Sequence, residues 1–278
     1  MLVSIGRKLR QGPLPEISWA WQVTIGYLAF MLLLPIAALI LKATTKSPGE
    51  FWSLATSPTA LSAYDVTFTT ALVAALINGL FGTLIAWVLV RYQFPGRKII
   101  DASIDLSFAL PTAVAGLTLA TIYSENGWIG SLLKPFGVQI AFSRLGVAVA
   151  MIFISLPFVV RTVQPVLAEM EQDIEEAAWC LGASNGQTFW QVILPSLLPS
   201  IFTGIALGFS RAVGEYGSTV LIASNTPFRD LIAPVLIFQR LEQYDYAGAT
   251  AIGVVLLAIS LLLLLTINLL QSWNKRYE

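Results

Sequence analysis

From Ile259 to Leu270 the chain is almost unbroken leucine and isoleucine, interrupted only by Ser260, Thr266 and Asn268. A run like this has no place on a water-facing surface, and about 20 such residues span a bilayer core about 30 Å thick. It belongs to a span from about Gly248 to Leu270, the sixth along the chain. Five more precede it, from about Trp19 to Leu41, Val66 to Val90, Ser103 to Tyr123, Leu145 to Gln164 and Pro199 to Ala223. Pro111 and Pro157 fall inside the third and fourth, where neighbouring helices re-satisfy the freed carbonyls. Composition agrees: 56% of the 278 residues are hydrophobic and 12% charged, half of the ~25% usual in soluble domains. The expected fold class is therefore all-α integral membrane, with about six transmembrane helices.

The lysines and arginines orient these spans. With a cytoplasmic N-terminus, the inside segments hold Arg7, Lys8, Arg10, Arg91, Arg97, Lys98, Arg161, Lys275 and Arg276. The outside segments hold Lys42, Lys46, Lys134, Arg144, Arg229 and Arg240. The clusters flanking spans all fall on the first side, so both termini are expected in the cytoplasm. The first apolar run exceeds the 7–15 residues of a signal peptide's core, and Trp19 and Trp21 suit an interfacial anchor. It reads as a retained, peripheral helix. The expected division is 1–61 for tail, first helix and external loop, 62–270 for a five-helix core, and 271–278 for a cytoplasmic tail.

The remaining composition closes off several functions. Sixteen basic against sixteen acidic residues give zero net charge, which argues against a nucleic-acid partner. No histidine is present, removing the commonest metal ligand and the usual neutral-pH base. The single cysteine, Cys180, forms no internal disulfide. A phosphate loop requires a lysine after glycine, and none of the six lysines follows one. The reading is a non-enzyme without metal or cofactor, and any ATP is bound by a partner.

The segment from about 161 to 196, between spans four and five, is too patterned for a connector. It carries Glu169, Glu171, Asp173, Glu175 and Glu176, while Leu167, Ile174, Ala177, Ala178 and Leu181 recur at near-helical spacing. Gly182 follows as at a helix C-terminus, Ser184 or Asn185 can cap the next helix, and Pro195 is expected to stop that helix before span five. The prediction is a helix–turn–helix at the membrane surface whose small residues admit a partner closely.

Span five holds Arg211 and Glu215, roughly 18 Å from its start at 1.5 Å per residue. An arginine at that depth costs on the order of 2.5–3.5 kcal/mol unless it faces protein or water. Four residues apart on one helix, the two can neutralise each other. Either they lock a subunit interface, or Arg211 stands beside a translocation path and offers its charge to an anion. Gly204 and Gly208 supply the small surface for close helix approach.

These residues carry a resemblance. Glu176-Ala177-Ala178, three residues, Gly182, nine residues, then Val192-Ile193-Leu194-Pro195 resembles the EAA signature of binding-protein-dependent ABC importer membrane subunits, departing only at Val192, where isoleucine is usual. The resemblance implies that Glu176, Ala177, Ala178, Gly182, Leu194 and Pro195 form the loop docking into an ATPase subunit. Ser210 to Asn225, with Arg211-Ala-Val-Gly-Glu215-Tyr-Gly217, is similar to the arginine–glutamate–glycine signature of sulfate and molybdate importer subunits. Leu110 to Leu117, Asn126 to Gly130 and Phe238 to Tyr246 point the same way, most of all to the T-type permease subunit of bacterial and plastid sulfate/thiosulfate ABC importers. That family implies the type I ABC importer permease fold. It also implies a homologous second membrane subunit, two ATPase subunits, an external sulfate/thiosulfate-binding protein, and a bacterial inner membrane or plastid inner envelope. A molybdate-type permease and a proton-coupled secondary anion carrier are the alternatives.

Overall fold

The computed structural model describes residues 19–274. Arg7, Lys8, Arg10, Lys275 and Arg276, which supply much of the inside bias, lie outside the described residues. Among the described residues every regular element is a helix. In chain order they are α1 (Trp19–Ala43), α2 (Pro48–Ala55), α3 (Pro58–Arg91), α4 (Arg97–Ala109), α5 (Thr112–Tyr123) and α6 (Arg144–Glu169). Then come α7 (Gln172–Cys180), α8 (Asn185–Val213), α9 (Gly217–Ile222), α10 (Ala233–Glu242) and α11 (Tyr246–Asn274). Five of them, α1, α3, α6, α8 and α11, are long and apolar enough to cross a membrane, and the pair α4–α5 makes a sixth if counted as one span.

The core is built on α6, against which α3 and α8 pack. The apolar surfaces of membrane helices give no hydrophobic drive toward each other, so close backbone approach supplies the packing. A Cβ on Gly82 of α3 would stand 2.9 Å from the Val159 Cβ, and one on Gly204 of α8 would stand 2.8 Å from the Val159 Cα. Both neighbours thus close on the same turn of α6. The Gly204/Gly208 spacing read from sequence is this contact, with Gly208 set against Ser155. One buried cluster, around Tyr64, Met151, Phe209 and Ile252, fills one end of the bundle, and a second, around Leu89, Val163, Leu167 and Leu197, fills the other. No residue of α1 is buried; it packs along α11, peripheral as expected.

Three expectations are corrected. The third span is not one straight helix: α4 and α5 meet at 114°. Proline disfavours helical geometry in the residue before it, and Leu110 before Pro111 is extended, at ψ 131°. Pro157 instead sits within an unbroken α6. The fifth span also breaks, because α8 ends at Val213 and a separate α9 follows. Pro195, finally, stops nothing: α8 runs through it. The turn before it widens into a π-helix over Phe189–Ile193, with the Leu194 N–H reaching back to the Phe189 carbonyl. That register relieves the proline's clash with the carbonyl four residues back. Pro35 in α1 follows an identical device, a π-helix over Ala29–Leu33.

Candidate functional site

The predicted helix–turn–helix is present as α7 and the start of α8. Gly182 ends α7 at φ +88°, where a side chain would be strained. Its N–H donates to the Trp179 carbonyl (2.9 Å) and the Ala183 N–H to the Ala178 carbonyl (3.0 Å), the paired bonds of a Schellman termination. Ser184 then caps α8. Its Oγ accepts from the Gln187 N–H while Gln187 Oε1 accepts from the Ser184 N–H, a reciprocal capping box. A termination signal and a starting cap, with only Ala183 between Gly182 and Ser184, fix the hinge in one shape.

This hinge presents an open face. Glu176, Ala177, Gly182 and Pro195 are exposed, and Ala178 and Leu194 half-buried. Around them Ile174, Trp179, Leu181 and Trp190 stand exposed, Leu181 by 90%. Single exposed apolar residues are ordinary, but a contiguous group marks a contact surface.

What holds α7 to the bundle escaped sequence reasoning. Arg91, the last residue of α3, forms an ion pair with Glu175, and its guanidinium lies 5.5 Å over the Trp87 ring. Both partners are largely buried, and they are 84 residues apart in sequence, so no local spacing announces them. A second clamp joins α6 to α4: Arg161 reaches Asp101 (2.6 Å) and Asp105 (2.7 Å).

At the far end of α8, Arg211 donates from Nη1 to Glu215 Oε2 at 2.7 Å. The pair is not two residues of one helix, since Glu215 lies past the end of α8. Glu215 is 1% exposed, and its Oε1 accepts from both the N–H and the Oγ of Ser218, each at 2.9 Å. Glu215 thereby joins the end of α8 to the first turn of α9. Arg211 retains 31% exposure of its side chain, unlike its buried partner. The register set by Gly204 on Val159 and Gly208 on Ser155 puts Arg211 level with Ile152, in the half of α6 toward Arg144 and not at its middle.

Two segments singled out in the sequence come together here. A Cβ on Gly217 would strike the Thr112 hydroxyl, and one on Gly116 would stand 2.5 Å from the Ser218 Cα. The 110–117 segment therefore lies on the 211–218 segment backbone to backbone. Asp230, fully buried, ties the following turn by accepting from the Ser224 N–H (2.6 Å), Ser224 Oγ (2.8 Å) and Thr226 N–H (2.9 Å). The 124–144 loop holds a short helix, Gly130–Leu133, and a 3-10 turn ended by Gly137 at φ +68°. From Pro195 to Arg211 is roughly 24 Å along α8 at 1.5 Å per residue, so the hinge and the pair are separate sites joined by one helix.

A bundle of apolar helices with an exposed hinge at one end and a partly buried ion pair toward the other defines a multi-pass membrane permease subunit. The chain belongs to the family described as binding-protein-dependent transport system inner membrane component, which matches residues 78–276. It is 68% identical to the sulfate transport system permease protein CysT of Synechocystis sp. over 262 residues, 94% of this chain and 92% of the relative. It is 65% identical to the probable sulfate transport system permease protein of Chlorokybus atmophyticus, over 94% of this chain and 91% of that one. The fold matches a chain of a bacterial alginate ABC transporter, solved in complex with an alginate pentasaccharide-bound periplasmic protein, with a TM-score of 0.73. That chain is 19% identical, and the match covers 90% of this chain and 91% of it.

Proposed function

We propose that this chain is the permease subunit of an ATP-driven sulfate importer. The observation that carries the reading is near full-length identity of 68% and 65% to proteins named as sulfate transport permeases. In this reading an external binding protein delivers the anion, a second and similar membrane subunit completes the path, and two ATPase subunits dock on the hinge. Glu176, Ala177, Ala178 and Gly182, with Leu194 and Pro195 at the base of α8, form the docking surface. The rigid α8 carries its displacement toward Arg211 and Glu215. Arg211, whose side chain is partly exposed, is placed to meet an anion, and Glu215 is the group that positions it. ATP is bound and hydrolysed by the partner. The hinge and both termini face the cytoplasm, and the membrane is a bacterial inner membrane or a plastid inner envelope. Reconstitution with the partner subunits and radiolabelled sulfate tests this: uptake should require the ATPase subunit, and uptake persisting without it would sink the reading.

A further inference from the structure

Where α3 ends and α4 begins, the chain faces the last turns of α6 across a cavity of about 500 Å³, beside the hinge. Arg91, Gln93 and Arg97 line one wall; Gln164, Leu167 and Met170 line the other. No carboxylate is among the lining residues. Arg91 gives Nη2 to Glu175, but its Nε is buried with no acceptor. The Arg97 side chain, half-buried, makes no hydrogen bond or ion pair among the described residues. Asp101, one turn along α4, answers the Arg97 charge without a hydrogen bond to it, so the Arg97 guanidinium keeps its donors for another acceptor. A tetrahedral oxyanion suits such a wall, since the planar arginine fork matches its geometry and charge-assisted bonds are the stronger kind.

We infer that this cavity binds a tetrahedral oxyanion, supplied either as sulfate leaving the permease or as the phosphate of an anionic lipid. The first source rests on the sulfate-import reading; the second does not. Arg91 is shared, because the same guanidinium fastens α7 through Glu175. An anion in the cavity competes with Glu175 for it and loosens the hinge, so occupancy bears on coupling as well as on release.

The test uses the complete complex with its partner subunits, without nucleotide or external binding protein. Equilibrium binding of radiolabelled sulfate is measured in detergent, and retained phosphatidylglycerol is measured by native mass spectrometry from lipid nanodiscs. Arg97→Gln should weaken one class of sulfate sites at least tenfold if sulfate is the occupant. It should remove one bound phosphatidylglycerol if a lipid is. Gln93→Glu, at an exposed position, offers Arg97 an internal carboxylate and should suppress the same binding, which covers any failure of Arg97→Gln to assemble. Wild type and both variants binding equal amounts of both anions would overturn the inference. ATP-driven uptake of external sulfate is followed in the wild type alongside. Uptake with no Arg97-dependent anion refutes this site alone, whereas an Arg97-dependent anion without uptake refutes the importer reading.

Discussion

Gly116 lies so close to Ser218 that a Cβ on it would sit 2.5 Å from the Ser218 Cα. The neighbour is backbone, which cannot swing aside as a side chain would. Overpacking of this kind costs typically 1–3 kcal/mol. Gly116→Ala should lower the melting temperature of the detergent-purified complex, and Gly116→Val should lower it further. Ala115→Gly, one residue away, should not reproduce this loss of packing by clash. An unchanged melting temperature for Gly116→Val would mean that α5 does not lie against α9.

The Arg211–Glu215 pair is asymmetric, with Glu215 buried and Arg211 partly open. Arg211→Ala leaves a buried carboxylate with the Ser218 donors alone, at an expected cost of about 1–3 kcal/mol. Glu215→Gln keeps an oxygen for Ser218 and should be milder. Both single changes to alanine should impair uptake. If the double alanine variant regains transport, the pair is a lock; if it stays inactive while regaining stability, Arg211 meets the anion.

Apolar run length made the spans legible, and the hinge was legible because termination, glycine and cap follow one another within a few residues. Breaks in the helices were not. A proline sits inside α6 at Pro157 without effect, yet Pro111 turns the chain by 114°, and residue type alone does not separate the two. Burial does not separate them either, since Pro165, also inside the unbroken α6, is exposed. Arg211 and Glu215 were visible as charges out of place, but Ser218, which completes the carboxylate's bonding, looks like any serine. Arg91–Glu175 was invisible because its partners meet only through the tertiary fold.

Gly182 holds φ +88° and donates its N–H to Trp179. A left-handed backbone costs a residue with Cβ about 1–2 kcal/mol, so Gly182→Ala should reduce coupling without blocking insertion. Gly182→Pro fixes φ near −65° and removes the donor, abolishing the Schellman termination. ATPase activity stimulated by the binding protein should then fall to the level of the uncoupled ATPase. Full coupling in Gly182→Pro would remove the hinge from the mechanism.

Arg91 and Glu175 are both largely buried, so removing one strands the other. Arg91→Ala and Glu175→Ala should each loosen α7, read as faster hydrogen exchange over 172–180. Residues in one ion pair are coupled by about 0.5–3 kcal/mol, so the double variant should lose less than the two single losses added together. Strict additivity would show that α7 is held by something else.

Cys180, the only cysteine, is exposed at the last residue of α7 and reports on both orientation and docking. A membrane-impermeant maleimide added to sealed right-side-out vesicles should leave it unmodified. Inside-out vesicles should be labelled, because the hinge is proposed to face the cytoplasm. Adding the ATPase subunits should slow labelling of inside-out vesicles, since Trp179 and Leu181 on either side of Cys180 belong to the apolar face that docking covers. A Glu175→Ala variant, with α7 less firmly held, should show weaker protection. Labelling from the outside would reverse the assigned topology, and a rate unaffected by the ATPase would place the docking surface away from α7.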